Sequence, residues 1–187
     1  MLPDWNGGID NTFIYSNFRF GFLIDFQKGG DIFSSDMAVG SRNGLYENTT
    51  GLNELGNPVR SPIENGGGIL LEGVAPDGSP NTVRTSMMSR NHALGHPTAP
   101  DAMFIYDASY VKLREVILSY NLPSSLLSST FFAGAEFSLI GSNLWIIHKN
   151  VPYADPEAGL ISGNVQGHHQ GVYPATRDLG FNVRLQF

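Results

Sequence analysis

Histidines offer the first candidates for chemistry. His92 and His96 stand four apart, the spacing that puts two imidazoles on one helix face for zinc, but Gly95 and Pro97 oppose a helix and no carboxylate lies between them. They read as a solvated loop. His168 and His169 lie between Gly167 and Gln170, where a ligand contact competes with the simpler expectation of solvent exposure. His148 follows Trp145 closely and reads as a polar residue at a boundary. Gly66, Gly67 and Gly68 lack the following Lys-Ser or Lys-Thr of a phosphate-binding loop and suit a turn with positive φ. Ala75 to Ser79 (APDGS) has turn chemistry and is too short for a calcium loop. No serine sits in a Gly-x-Ser-x-Gly elbow, the carboxylates are scattered, and cysteine is absent. The sequence therefore predicts no catalytic residue, no cofactor site and no metal site, and it does not read as an enzyme.

Composition narrows the partners. The formal charge is -6 with only three lysines, which gives no cationic surface for a phosphate backbone, so no nucleic acid partner is expected. Charged residues are 15% of the chain against about 25% in typical soluble domains, while Gly (22 residues) and aromatics (11%) are plentiful, a mixture that favours strands and turns. Polar residues such as Asn17, Arg19, Asp25, Glu136 and Asn143 interrupt every apolar stretch before it reaches the ~18 residues of a membrane helix. If this chain meets a membrane, strands must do the crossing.

Period-two alternation supplies those strands, because a strand between lipid and lumen must separate apolar from polar residues by face. From Thr12 to Gln27, read as one strand, the even positions Ile14, Ser16, Phe18, Phe20, Phe22, Ile24 and Phe26 form a nearly unbroken apolar stripe opposite Asn17, Arg19, Gly21, Leu23, Asp25 and Gln27. At the end, Leu179, Phe181, Val183, Leu185 and Phe187 alternate with Asp178, Gly180, Asn182, Arg184 and Gln186. Phe131 to Ile147 alternates less cleanly. In Ser109 to Tyr120 the apolar parity switches between Leu113 and Val116, which predicts a β-bulge near Arg114 and Glu115.

The connections are unequal: 121–130 is short, whereas 28–107 and 149–175 are long and rich in Gly, Pro, Asn and Ser. Outer-membrane barrels have long outer loops and short periplasmic turns, so both long segments are expected outside. The fold class that follows is all-β: an antiparallel transmembrane β-barrel segment, read as four strands with two extracellular loops, occupying 1–187 as one incomplete domain. Phe18, Phe20, Phe22, Ile24 and Phe26 are expected to face outer-membrane lipid together with Phe181, Val183, Leu185 and Phe187. Tyr106, Tyr110, Tyr120, Trp145 and Tyr153 fall at strand ends, where an interfacial girdle would place them. The rival reading is a soluble β-rich carbohydrate-binding module, its long loops forming the site and its aromatics acting as stacking platforms.

Several blocks, in order along nearly the whole chain, resemble the late-barrel region of SusC-like (SusC/RagA) TonB-linked outer-membrane proteins. They are Asp4 to Phe13 (DWNGGIDNTF), Phe22 to Phe33 (FLIDFQKGGDIF), Asp107 to Val116 (DASYVKLREV), Ser119 to Pro123 (SYNLP), Gly141 to Trp145 (GSNLW), Tyr153 to Glu157 (YADPE), Gly163 to Gly167 (GNVQG) and Tyr173 to Arg177 (YPATR). The resemblance implies a barrel of about 22 strands with a plugged lumen, driven by the TonB complex through an amino-terminal part outside this chain. It implies a SusD-like surface lipoprotein as partner and imported oligosaccharides or peptides as cargo, in the bacterial outer membrane. Four strands cannot close a barrel, so the chain is expected to be a fragment of the carboxyl-terminal region. The blocks containing Asp25 and Asp155-Pro156-Glu157 are expected to fix strand-to-loop transitions. Such barrels also resemble one another in a terminal aromatic strand read by the barrel assembly machinery, a part that Phe181, Val183, Leu185 and Phe187 would play.

Overall fold

The computed structural model describes residues 2–87, 94, 99–157 and 166–187. Its strands are β1 (Trp5–Tyr15), β2 (Phe18–Lys28), β3 (Asp31–Ser34), β4 (Ile69–Leu70), β5 (Arg84–Thr85), β6 (Ile105–Asp107), β7 (Tyr110–Asn121), β8 (Gly134–Lys149), β9 (His168–His169) and β10 (Asp178–Gln186). Two helices, α1 (Ser35–Arg42) and α2 (Ser124–Leu127), complete the main elements. The chain divides into two compact units. One takes in the chain up to Ile32, from Tyr106 to Gly167 and from Val172 onward; the other runs from Phe33 to Ile105 and adds His168–Gly171.

The first unit is built on a five-stranded antiparallel sheet in the order β1-β2-β7-β8-β10. The stretch expected as one strand from Thr12 to Gln27 is a hairpin, so the expected four strands are five. Tyr15 faces Phe18, and the reversal occupies Ser16 and Asn17, with Ser16 at φ 52°. A two-residue turn swaps the parity of the arm before it: Phe13 lands opposite Phe20, and Ile14 opposite Arg19. Ile14 therefore leaves the apolar stripe, and Phe13 and Tyr15 join it.

The predicted bulge is present. Leu23 pairs with Glu115 and Ile24 with Leu113, leaving Arg114 as the extra residue; across the other edge Glu115 pairs with Ser142 and Leu113 with Trp145. Val111 and Leu113 thereby share a face with Val116, Leu118 and Tyr120.

The registers then run continuously across the sheet. Phe20 stands beside Leu118, Leu118 beside Leu139 and Leu139 beside Phe181, so Phe18, Phe20, Phe22, Ile24 and Phe26 lie on the same face as Phe181, Val183 and Leu185. This face is exposed: Leu139 is 63% accessible and Phe181 78%. The opposite face carries Asp10, Arg19, Asp25, Glu115, Ser119, Glu136, Asn182 and Arg184. The β1–β2 turn, the β7–β8 link and the end of β10 share one edge of the sheet, while the two long connections leave from the other.

The second unit has its own small core of Val59, Met87 and Leu94, flanked by Ile69 and Leu71. Its turns follow their sequences. Gly66 (φ 76°) and Gly68 (φ 74°) occupy the left-handed region, and a Cβ on Gly67 would stand 1.9 Å from the Ser61 carbonyl oxygen. Asp77 accepts from the backbone N–H of Ser79 at 3.0 Å and from its hydroxyl at 2.6 Å, an Asx turn closed by Gly78.

Candidate functional site

Two features of the first unit have the chemistry of a site. The middle of the polar face forms a groove of about 370 Å³ whose lining includes Asp10, Arg19, Glu115 and Glu136 with Thr12, Ser119, Ser138 and Asn182. Alternation places these residues there, since each occupies the parity opposite an apolar one. The hydroxyls of Ser119 and Ser138, both buried, meet across β7 and β8 at 2.8 Å. The groove sets donors and acceptors of both signs of charge beside apolar surface from Phe22, Ile117 and Ile140, a wall suited to mixed polar and apolar contacts.

At the long-connection end of the same face lies an ion cluster. Lys112, 3% exposed, donates to Asp155 Oδ1 and to Glu157 Oε2, each at 2.5 Å. Arg114 makes a two-pronged pair with Glu157, at 2.8 and 2.9 Å, and reaches Asp25 of β2 and the Asn143 side-chain oxygen of β8 (3.1 Å). Tyr110 is buried with its hydroxyl 3.2 Å from Glu157 and 3.3 Å from Asp25, and its ring lies 5.1 Å from the Lys112 ammonium. Lys112 shares the polar face with Tyr110 by ordinary alternation, and the bulge at Arg114 adds Glu115 to that face while returning Val116, Leu118 and Tyr120 to the apolar one.

A companion motif fixes the adjoining turn. Asp107 accepts from the Ser109 backbone N–H at 2.7 Å and from its hydroxyl, and Ser109 Oγ accepts from the Gly29 N–H at 2.8 Å. Gly29 and Gly30 are both left-handed, at φ 77° and 81°. The hydroxyl of Ser109 holds the Asp107 carboxyl below its ordinary range.

Burial tends to raise the Glu157 carboxyl, but the hydrogen bonds and charges of Arg114 and Lys112 outweigh it and bring it down to about 2 from the usual 4.5. A depressed carboxylate contributes stability that is present above the unfolded value and lost as pH falls through the folded one. Anchoring of 155–157 is therefore expected to be intact above about pH 4.5 and to fade as pH approaches 2. Hydrogen exchange at the Glu157 amide, which donates to Asp155 Oδ1 at 3.0 Å, reads this directly. Protection that is unchanged between pH 6 and pH 2, after correction for intrinsic rates, refutes it.

The sequence candidates fare unequally. His169 is not solvent-exposed: it is 5% accessible, with Nδ1 2.9 Å from Ser34 Oγ and Nε2 3.2 Å from Asp36 Oδ2. This serine–histidine–aspartate set lies wholly in the second unit. Ser34 is fully buried, and its Oγ already accepts the Met37 N–H as the cap of α1. An attacking oxygen needs access, so the set reads as a clasp that pins 168–171 to the start of α1; Gly171 N–H completes it on Asp36 at 2.8 Å. The His168 ring packs at a tilt against Phe33, with centroids 5.5 Å apart. His148 is exposed, and His92 and His96 lie outside the described residues. Tyr110 does not join an aromatic girdle, because its parity puts it on the polar face. Tyr106 packs on the buried trio Ile32, Ala108 and Val151, whereas Trp145 and Tyr153 are exposed and Tyr120 packs at a tilt against Phe18, with ring centroids 4.6 Å apart. Sequence reasoning missed the cluster itself. The signal was available in two cations two residues apart beside an expected bulge, and in two carboxylates flanking Pro156.

No family model matches the chain. It is 25% identical over 191 residues to the TonB-dependent receptor P3 of Formosa agariphila, covering 99% of this chain and 16% of that protein. TonB-dependent receptor P26 of the same organism is 26% identical over 194 residues, covering 100% and 17%. The RagAB peptide importer in its closed-closed state superposes on all of this chain with a TM-score of 0.64 at 20% identity, and in its open-open state with 0.63 at 18%. The chain is similar in sequence to these TonB-dependent receptors and shares the fold of the matching stretch of RagAB. Similarity runs along its entire length, so the sheet, the second unit and the ion cluster all fall within the region shared with these receptors. The chain spans about a sixth of the length of the receptors it matches.

Proposed function

We propose that this chain is a stretch of barrel wall, with its outer loops, from a TonB-dependent outer-membrane transporter that imports oligosaccharides or peptides together with a SusD-like surface lipoprotein. One observation carries the reading: a continuous sheet with an exposed apolar face and a polar face, all long connections leaving from one edge, as a lipid-spanning wall requires. Phe18, Phe20, Phe22, Ile24 and Phe26 then meet lipid, and the groove and ion cluster face the lumen. The names of the matched receptors and of the RagAB importer support the transport reading. TonB would act through parts of the transporter outside this stretch.

The test is fractionation of the whole transporter from its host. Recovery with the outer membrane after salt washing, a heat-sensitive compact form on electrophoresis, and co-purification of a surface lipoprotein are expected. Recovery without detergent in the soluble fraction returns the chain to the carbohydrate-binding module. Within the same reading β10 carries the assembly strand, with Phe181, Val183, Leu185 and Phe187 offered for edge pairing to the barrel assembly machinery. Deleting Phe187 is expected to lower the amount of protease-resistant barrel several-fold while synthesis is unchanged. Equal amounts for the deletion and the wild type end that reading.

A further inference from the structure

The end of β10 is held by one short segment of the β7–β8 link. Phe187 stacks on Phe131 with ring centroids 5.9 Å apart and planes at 15°, and it lies 5.5 Å from Phe132; the two link rings are themselves 4.2 Å apart. The Ala133 N–H donates to the Gln186 carbonyl at 2.8 Å, and Gly134, opposite Gln186, has no side chain to obstruct it. A Cβ on Gly134 would lie 2.7 Å from the Gln186 side-chain oxygen. Four consecutive residues thus grip the last two through two aromatic contacts, a backbone hydrogen bond and a clearance. Phe131 and Phe187 are nevertheless 75% and 82% exposed, so their rings are not held by a core, and among the described residues they order one another together with Phe132.

We propose that Phe131 to Gly134 form an intramolecular holdfast that takes over the Phe187 ring from the assembly machinery and fixes β10 against β8. The proposal rests on the reading of β10 as the assembly strand. A ring cannot lie in a protein receptor and on the Phe131–Phe132 pair at once, so the two compete for one aromatic side chain. Release then follows from exchange of partners: when β10 zips onto β8 from Asp178–Ser142 to Gln186–Gly134, its final step delivers Phe187 to the holdfast. Phe131 and Phe132 are positioning residues for the strand end.

The experiment uses the whole transporter in its host, with a photo-crosslinking residue at position 185 reporting contact with the assembly machinery. Phe131→Ser with Phe132→Ser is expected to prolong that crosslink and slow the appearance of heat-resistant barrel roughly tenfold, the factor carried by a pair of ring contacts. Phe131→Tyr with Phe132→Tyr should behave as wild type. Deleting Phe187 should abolish the crosslink from the start, and adding the two serine changes to that deletion should slow assembly no further. Normal assembly kinetics in the double serine variant overturns the holdfast. So does a crosslink that decays at the wild-type rate while assembly slows, since that indicates general misfolding of the link. If the Phe187 deletion crosslinks and assembles normally, the assembly-strand reading falls and the holdfast falls with it; if the deletion loses the crosslink while the serine variant keeps wild-type kinetics, the holdfast alone falls.

Discussion

Replacing Lys112 with methionine in the whole transporter is expected to destabilise the barrel by about 3–5 kcal/mol, the usual cost of removing one partner from a buried ion pair. The Lys112 side chain is 4% exposed and the Asp155 side chain 7%, so the carboxylate left behind is out of reach of bulk water. Glu157 keeps Arg114 and suffers less. The ordering of variants is the sharper expectation. Lys112→Met combined with Asp155→Asn should cost less than Lys112→Met alone, because the second change removes the uncompensated charge. The temperature at which the compact form is lost on electrophoresis measures both. A single variant that melts with the wild type shows that the cluster is solvated in the assembled protein and that its burial here has no energetic weight.

The second large effect distinguishes the two faces. Phe22→Arg places a charge on the apolar face at mid-strand, where the midplane of a bilayer costs about 2–4 kcal/mol. Thr12→Arg places the same charge on the polar face, on the neighbouring strand, where Thr12 pairs with Gly21. The first is expected to lower the amount of folded barrel strongly and the second to leave it near wild type. Equal tolerance at both positions removes the lipid contact from the apolar face. The reverse ordering would mean that the sheet is inside out relative to our reading.

Much of this was legible in the sequence because burial on one face imposes a parity that a reader can count. The clean alternation of β10 gave its face without ambiguity, and the parity conflict in β7 located the bulge to within a residue. The hairpin at Ser16 and Asn17 was not legible for the same physical reason. Alternation of Phe18 to Phe26 continues backward through Ile14 by coincidence, and the turn lacks the Asn-Gly or Asp-Gly pair that marks a tight reversal. The ion cluster failed to show because its members are drawn from β2, β7, β8 and a loop: the sheet register sets Asp25 opposite Lys112, and the loop after β8 returns Glu157 to Lys112 and Arg114. His169 was misjudged from its polar neighbours Gly167, His168 and Gln170. What buries it is Ser34, 135 residues away, which no local pattern reports.

The unequal connections also dictate an order of events in folding. The β1–β2 hairpin closes through two residues and β7–β8 through a short link, so both can zip locally on the timescale of microseconds. The seam between β2 and β7 must wait, since Gln27 and Ala108 are 81 residues apart and the loop entropy falls due before any pairing repays it. Asp25 and Arg114 face each other across that seam, 89 residues apart, and Glu157 ties Arg114 to the following connection. A late-forming contact of this kind should barely touch the rate at which the sheet is built. Its stabilisation belongs to the reverse rate, so loss of the cluster would show first as a barrel that comes apart sooner.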